Sequence, residues 1–328
     1  MTCAMTVRFA IMGISSIAHS YVKLIRQIPC AEVAAAWGSD DERTRAFVHT
    51  HGIPRGGTDL TAILSDPGID ALLIVTEPAR HLFLAHQGLT AGKHMLIEKP
   101  LDDRLEAARA FEKAAAGSHL IIGVISPYRF NPVLRRIKAI LESLPPGTPI
   151  SAQLSIMWSR SQEYYHHGSG WRARSGPVLV NQGIHWLDVM NWFFGRAERI
   201  QGTARTTRSF LSCPDFCNTL ISYPGNVSVL ISAGTFCDRR HDDQLVIHHP
   251  GGRLDYAAMA GLNASHGFME RIKRRLSRQT PAVPAASELL HHQLVDFVSA
   301  IKEHRSPEVT LSHGIQALEL ALAASNPG

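Results

Sequence analysis

One stretch near the N-terminus decides the fold: Val7-Arg8-Phe9-Ala10-Ile11-Met12-Gly13-Ile14-Ser15-Ser16-Ile17-Ala18. An apolar run ends at Gly13, and apolar side chains then recur at helical spacing from Ile17 onward. The stretch therefore predicts a short buried strand, a tight turn at the glycine, and a helix that Ser15 or Ser16 can cap.

The alternation of strand and helix continues to about residue 125. Apolar runs predict further strands over 33–37, 69–76, 94–98 and 120–125. Helical patterns separate them over 41–51, 80–91 and 105–116. Because the strand-like runs are apolar throughout, they indicate a parallel sheet that helices cover on both faces.

After Tyr128 the pattern changes. Asn131-Pro132 predicts the cap and first turn of a helix. Apolar and polar residues then alternate over 150–158, 218–223 and 227–233, which is typical of strands with one wet face. The predicted fold class is α/β, with an N-terminal Rossmann parallel sheet and a C-terminal α/β domain that has a mostly antiparallel open sheet. The predicted domains are 1–124, for the dinucleotide, and 125–328, for substrate and oligomerisation.

The composition supports a folded two-domain protein. The 328 residues are 45% hydrophobic and 19% charged, which suits large cores. The net charge of +5 fits an anionic ligand, such as a dinucleotide phosphate or an acidic substrate, and fits ordinary solubility equally well. Five scattered cysteines indicate neither a disulfide framework nor a metal site, and no segment has the length of an apolar membrane span. We expect a protein of the reducing cytoplasm.

The turn after the first strand is similar to the dinucleotide-binding form G-x-G-x-x-G/A. Gly13 makes the tight turn, Ser15 stands at the middle glycine, and Ala18 permits close packing of helix on sheet. The pyrophosphate is expected at the N-terminus of the helix, where free N–H groups favour anions.

The end of the second predicted strand bears on the choice of cofactor. It reads Gly38-Ser39-Asp40, with Arg43 and Arg45 close behind. Gly38 offers no carboxylate for the ribose, which favours a 2′-phosphate. Asp40 is equally able to reach the ribose, so both NAD and NADP stay open.

The run from Gly92 to Pro100 contains a candidate catalytic lysine. It places Glu98-Lys99-Pro100 at the carboxyl end of a predicted parallel strand, where open α/β sheets bind ligands. A lysine at that place can polarise a carbonyl or hydroxyl oxygen. The alternative is a surface lysine before a proline turn.

A second candidate group lies in the apolar helical pattern from Asn181 to Asp188. Asn181 and His185 are four residues apart, so we expect them on one helix face. A histidine can accept a hydroxyl proton because its pKa lies near neutrality. The alternative is a core histidine. Asp188 either orients the helix or caps a neighbour.

Arginine and aromatic residues suggest a wall of the substrate site, formed by Arg160, Tyr164, Trp171, Arg172 and Arg174. Arginine binds carboxylate or phosphate in a bidentate way, and aromatic rings stack on sugar faces. The alternative is a core tryptophan with solvated arginines. Another basic cluster comprises Arg271, Lys273, Arg274, Arg275 and Arg278. It has no interleaved aromatics, so we expect a solvated helix face and no nucleic-acid partner.

Taken together, these stretches resemble the Gfo/Idh/MocA oxidoreductase family over nearly the whole chain. The resemblance rests on the following segments, in this order: the turn at Gly13, Thr76 and His81, Gly92 to Pro100, Tyr128 to Pro132, Tyr164-Tyr165, Trp171-Arg172, Gly183 to Asp188, and the closing helix around Asp296 to Ile301. It implies a Rossmann domain with bound NAD or NADP and a second domain whose open sheet often joins subunits. It also implies substrates that are commonly sugars, inositols or sugar nucleotides.

The resemblance implies a role for each matching residue. The catalytic residues would be Lys99, His185 and Asn181, the last standing where the family often has Asp, so that His185 is left as the sole acid/base with Lys99 assisting. The cofactor-binding residues would be Gly13, Ser15, Ser16, Ile17, Ala18, Gly38, Ser39, Thr76, His81, Glu98 and Lys99. The substrate-binding residues would be Tyr128, Arg160, Tyr164, Trp171, Arg172, Asn181 and His185.

The expected reaction is hydride exchange between NAD or NADP and a sugar, sugar derivative or polyol. The lysine and histidine come from different domains and are expected to meet beside the nicotinamide. Two alternatives stay open, namely a sugar enzyme without net redox change and a non-catalytic dinucleotide-binding protein. We expect a small, sugar-like substrate, either neutral or anionic, no membrane partner, and a homodimer or homotetramer formed through the C-terminal sheet.

Overall fold

The structure, a computed structural model, describes residues 5–259 and 284–326. Within that part, the chain divides into two units. The first combines the residues up to Pro127 with Ala285–Ile315, and the second combines Tyr128–Pro284 with the residues from Gln316 onward. The basic cluster at Arg271 to Arg278 lies outside the described residues.

The first unit is built on a parallel sheet. Its strands are β1 (Val7–Met12), β2 (Ala31–Trp37), β3 (Arg55–Gly57), β4 (Ala71–Ile74), β5 (His94–Ile97) and β6 (Ile122–Val124). They lie in the order β3-β2-β1-β4-β5-β6, and every adjacent pair is parallel. This order confirms the predicted Rossmann sheet. It reverses between β1 and β4, where doubly wound sheets open a crevice for ligands at the carboxyl ends of the strands.

The helices that flank this sheet begin and end at capping residues, prolines and glycines. They are α1 (Ser16–Ile25), α2 (Asp41–His51), α3 (Leu60–Leu64), α4 (Pro78–Thr90) and α5 (Leu105–Ala115). The side chain of Asp40 accepts a hydrogen bond from the Arg43 amide and caps α2. Pro78 occupies the first turn of α4, where its missing N–H costs nothing. Gly52 ends α2 in the left-handed conformation, with φ of 53°.

The second unit contains a different kind of sheet. In chain order its elements are α6 (Pro132–Glu142), β7 (Ile150–Met157), α7 (Gln162–His166), α8 (Trp171–Ser175), α9 (Ile184–Phe194), β8 (Arg199–Arg205), β9 (Phe216–Tyr223), β10 (Val227–Gly234), β11 (Gln244–His249), β12 (Gly252–Asp255) and α10 (Tyr256–Met259). The strand order is β12-β11-β7-β10-β9-β8. The pair β7–β10 is parallel and the other pairs are antiparallel, as predicted.

One face of this second sheet is open. Buried and exposed residues alternate along β7, β9 and β10, which is the mark of a sheet with one covered face. On the open face Leu220 and Leu230 lie opposite each other in register, and each is 43% exposed.

Two helices follow the segment that is not described, α11 (Ala286–Glu303) and α12 (Leu311–Ser325). The apolar side of α11 packs into the core of the first unit through Leu294, Phe297 and Ile301. Buried Gln293 fixes the helix to the last strand, because its Nε2 donates to the Val124 carbonyl at 2.7 Å and its Oε1 accepts from the Ser126 amide at 3.0 Å. The division at residue 125 gave this helix to the second domain, whereas its packing joins it to the first. The apolar pattern of this helix predicts a buried face but does not indicate which domain the face packs against.

Two further expectations concern membranes and cysteines. Among the described helices, none is long and apolar enough to cross a membrane. Cys30 is disulfide-bonded, whereas the scattered cysteines had indicated no disulfide framework. Burial raises the pKa of the Cys213 and Cys217 thiols to about 11, so both remain protonated at neutral pH.

We predict that Phe297→Ala destabilises the first unit strongly. Phe297 is 1% exposed and its ring lies 6.2 Å from that of Phe9 on β1, and truncating such a residue costs roughly 3–5 kcal/mol. The matched control is Phe83→Ala in α4, where the ring is 51% exposed, with a change of about 0.5 kcal/mol or less. Urea unfolding of both variants measures the difference. Equal losses would show that α11 is not part of this core.

Candidate functional site

The turn after β1 packs closely against the end of β4. Gly13 has φ of +114°, a conformation that disfavours any side chain. A Cβ at this position would lie 2.8 Å from Thr76 Cγ2 and 2.9 Å from the Thr76 amide nitrogen. Glycine is therefore required on two grounds, and the backbone at the start of α1 is held close to the end of β4.

The residues around this turn fit a dinucleotide phosphate. Ser15 is the N-cap residue of α1 but makes no side-chain cap bond. Its hydroxyl and that of Thr76 are both buried and have no hydrogen-bond partner among the described residues. Buried polar groups normally find a partner, and a helix N-terminus attracts anions. Ser16 and Ile17 are exposed in the first turn, while Ala18 is fully buried against the sheet.

The end of β2 carries the residues expected near a ribose. Gly38 has no space for a side chain, since a Cβ would overlap the side chains of Thr44 and Ile14. Ser39 and Asp40 are exposed, and one carboxylate oxygen of Asp40 is used to cap α2. The Arg43 guanidinium donates to the Ile14 carbonyl at 3.3 Å, next to the phosphate turn. Arg45 instead forms an ion pair with Asp41 on the exposed side of α2, at 2.8 Å.

Glu98 fixes the candidate catalytic lysine at the end of β5. Its Oε1 accepts from the buried Tyr21 hydroxyl at 2.5 Å, and its Oε2 accepts from the Lys99 amide at 2.9 Å. Burial and the neighbouring carboxylate raise the pKa of Tyr21 well above its ordinary value, so the phenol keeps its proton. Tyr21 thus fixes the carboxylate through Oε1, and Oε2 holds the backbone of the Lys99–Pro100 turn, whose peptide bond is cis.

His81 lies behind the same turn. Its Nδ1 is 2.8 Å from the Pro100 carbonyl and its Nε2 is 2.8 Å from the Thr76 carbonyl. The ring is 1% exposed, and burial lowers the pKa of this imidazole despite the two carbonyls. The sequence suggested His81 as a cofactor ligand, yet both ring nitrogens face carbonyl oxygens of the protein itself. The neutral imidazole has one N–H and donates it to one of these two carbonyls, so His81 lies packed between the turn that carries Lys99 and the turn that carries Thr76.

In the second unit, Asn181 and His185 flank a change in helix type. Residues Leu179–Gly183 form one turn of π-helix, and α9 continues from Ile184. A π-turn replaces i→i+4 with i→i+5 hydrogen bonds and so widens the helix locally. The shared helix face expected from the 181/185 spacing stays a prediction. Such turns are frequent at functional sites. Asn181 is buried, whereas His185 is partly exposed.

The ring of Tyr128 contacts His185. The Tyr128 ring lies 5.4 Å from the imidazole with an interplanar angle of 33°, and 5.2 Å from the ring of Trp186. The Trp186 and Trp158 indoles donate to the two oxygens of Asp243 at 2.8 and 2.7 Å. Burial raises the pKa of Asp243, while these two bonds act in the opposite direction. Hydrogen bonds to Asp243 thus fix the Trp186 ring, against which Tyr128 packs.

A buried ion pair sets the position of α9. Arg129 donates from Nε and Nη2 to the two carboxylate oxygens of Asp188, at 2.8 and 2.7 Å. The side chains are 4% and 3% exposed, so breaking the pair by removing one partner would leave a buried charge uncompensated. Asp188 orients the helix, which is one of the two roles that the sequence left open, and Arg129 follows Tyr128 directly.

The arginine and aromatic residues of the predicted wall come together in this unit. The guanidinium of Arg160 lies 4.8 Å from the centre of the Tyr164 ring, and that of Arg172 lies 5.0 Å from it. The Tyr164 hydroxyl donates to Asn181 Oδ1 at 3.4 Å and accepts from Gln182 Nε2 at 3.2 Å. Trp171 packs beside Arg172 at 5.3 Å, whereas Arg174 is exposed.

Several residues of the site were not expected from the sequence, namely Tyr21, Arg129, Gln182 and Asp243. In the sequence, Tyr21 is recognisable only as one of the apolar positions of α1. Asp243 lies 57 residues from its hydrogen-bond partner Trp186. For Asp243 no sequence signal points to the contact. Gln182 directly follows Asn181, and its only sequence signal is that it is a polar residue within an apolar run.

Comparison with known proteins agrees with this geometry. Residues 7–126 match the family model described as an oxidoreductase family with an NAD-binding Rossmann fold, and residues 134–255 match the GFO/IDH/MocA C-terminal domain. The chain is 26% identical over 223 residues to D-apiose dehydrogenase of Paraburkholderia graminis, covering 68% of this chain and 59% of the relative. It is 26% identical over 195 residues to scyllo-inositol 2-dehydrogenase (NAD(+)) of Bacillus subtilis, covering 58% and 54%. The match thus spans less than two thirds of these relatives.

Solved structures share the fold over nearly the full length. The WlbA dehydrogenase of Bordetella pertussis, in complex with NADH and UDP-GlcNAcA, has a TM-score of 0.85 at 21% identity and covers 99% of this chain and 96% of its own. The scyllo-inositol dehydrogenase of Lactobacillus casei, with bound NAD(H) and scyllo-inositol, has a TM-score of 0.81 at 19% identity and covers 97% and 95%.

We predict that Tyr21→Phe loses about 1–3 kcal/mol of unfolding free energy, because it leaves a carboxylate oxygen of Glu98 without its buried donor. The matched control is Tyr223→Phe. The Tyr223 hydroxyl is buried without a hydrogen-bond partner in the described part of the chain, so its removal is expected to be neutral or stabilising. Chemical unfolding followed by circular dichroism compares the two. Similar losses in both variants would argue against a holding role for the Tyr21–Glu98 bond.

Proposed function

The chain belongs to the GFO/IDH/MocA oxidoreductase family, and from that premise we propose that it is an NAD-dependent oxidoreductase acting on a hydroxyl or carbonyl group of a sugar, sugar derivative or polyol. The observation that carries the proposal is the phosphate turn, where a glycine that admits no side chain stands beside the buried, unpartnered hydroxyls of Ser15 and Thr76. A turn built in this way suits a bound diphosphate.

The names of the relatives support a polyhydroxy substrate. One is a D-apiose dehydrogenase and another a scyllo-inositol 2-dehydrogenase, and a structure of the same fold holds scyllo-inositol. These substrates share vicinal hydroxyl groups on a compact skeleton. Stacked aromatic rings and amide groups, as at Tyr164 and Asn181, suit such molecules.

The cofactor would be held by the first unit. Gly13, Ser15, Ser16 and Ile17 would bind the diphosphate with backbone amides and one hydroxyl, and Thr76 would add a second hydroxyl from the end of β4. When bound, the nicotinamide supplies the acceptor or donor of the hydride. The residues around Gly38 would accommodate the adenosine ribose.

Lys99 and His185 would handle the proton of the reacting hydroxyl. The backbone of Lys99 is fixed by Glu98, so its ammonium can be presented at the mouth of β5 to stabilise a developing alkoxide. His185 would take or return the proton, since an imidazole titrates near neutrality. Asn181 has no titratable proton and would orient the substrate by hydrogen bonding. Tyr128 would hold the imidazole ring in place from one side.

We predict that Lys99→Met and His185→Asn each lower turnover by roughly 10²–10⁴-fold, the usual share of acid–base catalysis. The binding constant for NAD⁺ is expected to stay close to that of the unmodified protein, because the phosphate turn is untouched. His166→Asn, which alters an exposed histidine of the same unit, is the matched control and should retain activity. Nicotinamide absorbance with a panel of sugars and polyols measures turnover, and calorimetry measures binding. Undiminished activity in both variants would refute the assignment.

We also propose that the open face of the second sheet joins two copies of the chain in a homodimer or homotetramer. The face presents Leu220 and Leu230 among small polar residues such as Ser228 and Ser232. Exposed leucines paired across neighbouring strands are typical of a surface that another sheet covers.

Leu230→Glu should therefore dissociate the assembly, because two copies would bring like charges together in an apolar contact. The matched control is Val295→Glu, at an exposed position of α11 in the first unit (37%). Size-exclusion chromatography with light scattering gives the mass of each variant. A monomeric parent protein, or an unchanged mass for Leu230→Glu, would rule out this interface.

A further inference from the structure

Two guanidinium groups of the second unit gather on one tyrosine ring, and we call Arg160, Tyr164 and Arg172 the arginine cluster. Arg160 follows β7 and is anchored by its backbone, since its amide donates to the Thr235 carbonyl at 3.2 Å and its carbonyl accepts from Arg208 at 2.7 Å. Arg172 lies in the short helix α8. All three side chains of the cluster are partly buried.

The charges of this cluster are not compensated in the way the unit compensates its other buried arginines. Arg129 has a bidentate partner in Asp188, and Arg208 pairs with Asp215 at 2.8 Å. For Arg160 and Arg172, by contrast, no carboxylate lies within ion-pair distance among residues 5–259 and 284–326. Partly buried charges are normally paired because desolvation without a partner is costly.

The two arginines are also short of hydrogen-bond acceptors in the part of the chain that the structure describes. The Nε atoms of Arg160 and Arg172 are buried and lack an acceptor within the described residues. Arg160 makes one long bond from Nη1 to the Ser159 carbonyl, at 3.4 Å. The Cζ atoms of Arg160 and Arg172 lie over the rings of Trp158 and Trp171, at 4.8 and 5.3 Å from the ring centres. Such contacts hold a guanidinium in place without using its N–H donors, which an oxyanion can then accept from.

The cluster is connected directly to the proposed acid–base group. The Tyr164 ring contacts both guanidiniums, and its hydroxyl bonds to Asn181, one turn before His185. One aromatic ring therefore separates the two cations from the amide that would orient the reacting hydroxyl.

We propose that the substrate is a sugar carrying an oxyanion group, a carboxylate or a phosphate, that Arg160 and Arg172 bind while Asn181 and His185 engage a hydroxyl across the sugar ring. This inference rests on the proposed function and adds the charge of its substrate. The guanidinium fork matches the two oxygens of a carboxylate or phosphate. Neutral sugars would leave both cations without a counterion in the complex, and so they bind more weakly.

The test uses matched pairs of sugars and the full-length protein. D-Glucuronate is compared with D-glucose, and D-glucose 6-phosphate with D-glucose, by binding in calorimetry and by kcat/KM with NAD⁺. We expect the charged member of at least one pair to be preferred by about 10-fold or more, since charge-assisted hydrogen bonds contribute roughly 1.5–3 kcal/mol each. The pair that shows the preference identifies the oxyanion as carboxylate or phosphate.

Arg160→Gln and Arg172→Gln are each expected to lower the charged-to-neutral ratio by roughly 10- to 100-fold. Arg160→Lys keeps the charge without the fork and should retain part of the preference, which supplies a second variant if either glutamine variant folds poorly. Arg199→Gln, at an exposed position of β8 in the same unit, is the matched control and should keep the ratio.

The two proposals fail in different ways. Equal binding of charged and neutral sugars, or a ratio that survives in both glutamine variants, overturns the oxyanion site even if neutral polyols reduce NAD⁺. Binding of a charged sugar that depends on Arg160 and Arg172 upholds the site, and the absence of any nicotinamide reduction would then count against the proposed reaction alone.

Discussion

The contact between Gly13 and Thr76 is the constraint on which the first unit depends. A single methyl group at Gly13 would lie closer to the Thr76 backbone than van der Waals contact allows. This approach draws the ends of β1 and β4 together at the point where the strand order reverses. The N-terminus of α1 follows the turn at Gly13, and the hydroxyls of Ser15 and Thr76 are buried there without a partner among the described residues. The proposed diphosphate site depends on this approach.

The second unit uses a buried ion pair for a comparable purpose. Arg129 and Asp188 join the turn that carries Tyr128 to the helix that carries His185. Ion pairs of this kind add little net stability against an apolar alternative, but they penalise every arrangement in which one partner is left alone. The pair therefore acts mainly by selecting one position of α9. The bonds from Trp158 and Trp186 to Asp243 then fix the ring that follows His185.

The sequence predicts the parts of this fold that local pattern controls. Five of the six strands of the first sheet, the cap at Asn131, and the alternating strands of the second sheet follow from hydrophobic period and turn chemistry. Strand β3 was missed because it has three residues, two of them glycines. The edge strand β8 was missed because most of its residues are exposed, which leaves no apolar alternation to read. The placement of α11 was missed for another reason, since its apolar face fits a core that the chain had completed over a hundred residues earlier. The hydrophobic pattern of a helix indicates that one face is buried, but it does not indicate which other element covers that face.

The candidate site divides in the same way, into polar residues that the protein satisfies and those that it does not. Sequence motifs single out Glu98, His81 and Thr76 alike. In the structure both carboxylate oxygens of Glu98 accept hydrogen bonds, from Tyr21 and Lys99, and His81 faces two backbone carbonyls. Glu98 and His81 therefore hold the protein's own turns in place. Thr76 and Ser15, and in the second unit Arg160 and Arg172, keep buried polar atoms without a partner in the described chain. Buried polar groups normally find a partner, so these are the atoms that the proposed ligands would complete. That distinction depends on contacts far apart in sequence, which is why the motif residues could be predicted while their separate roles could not.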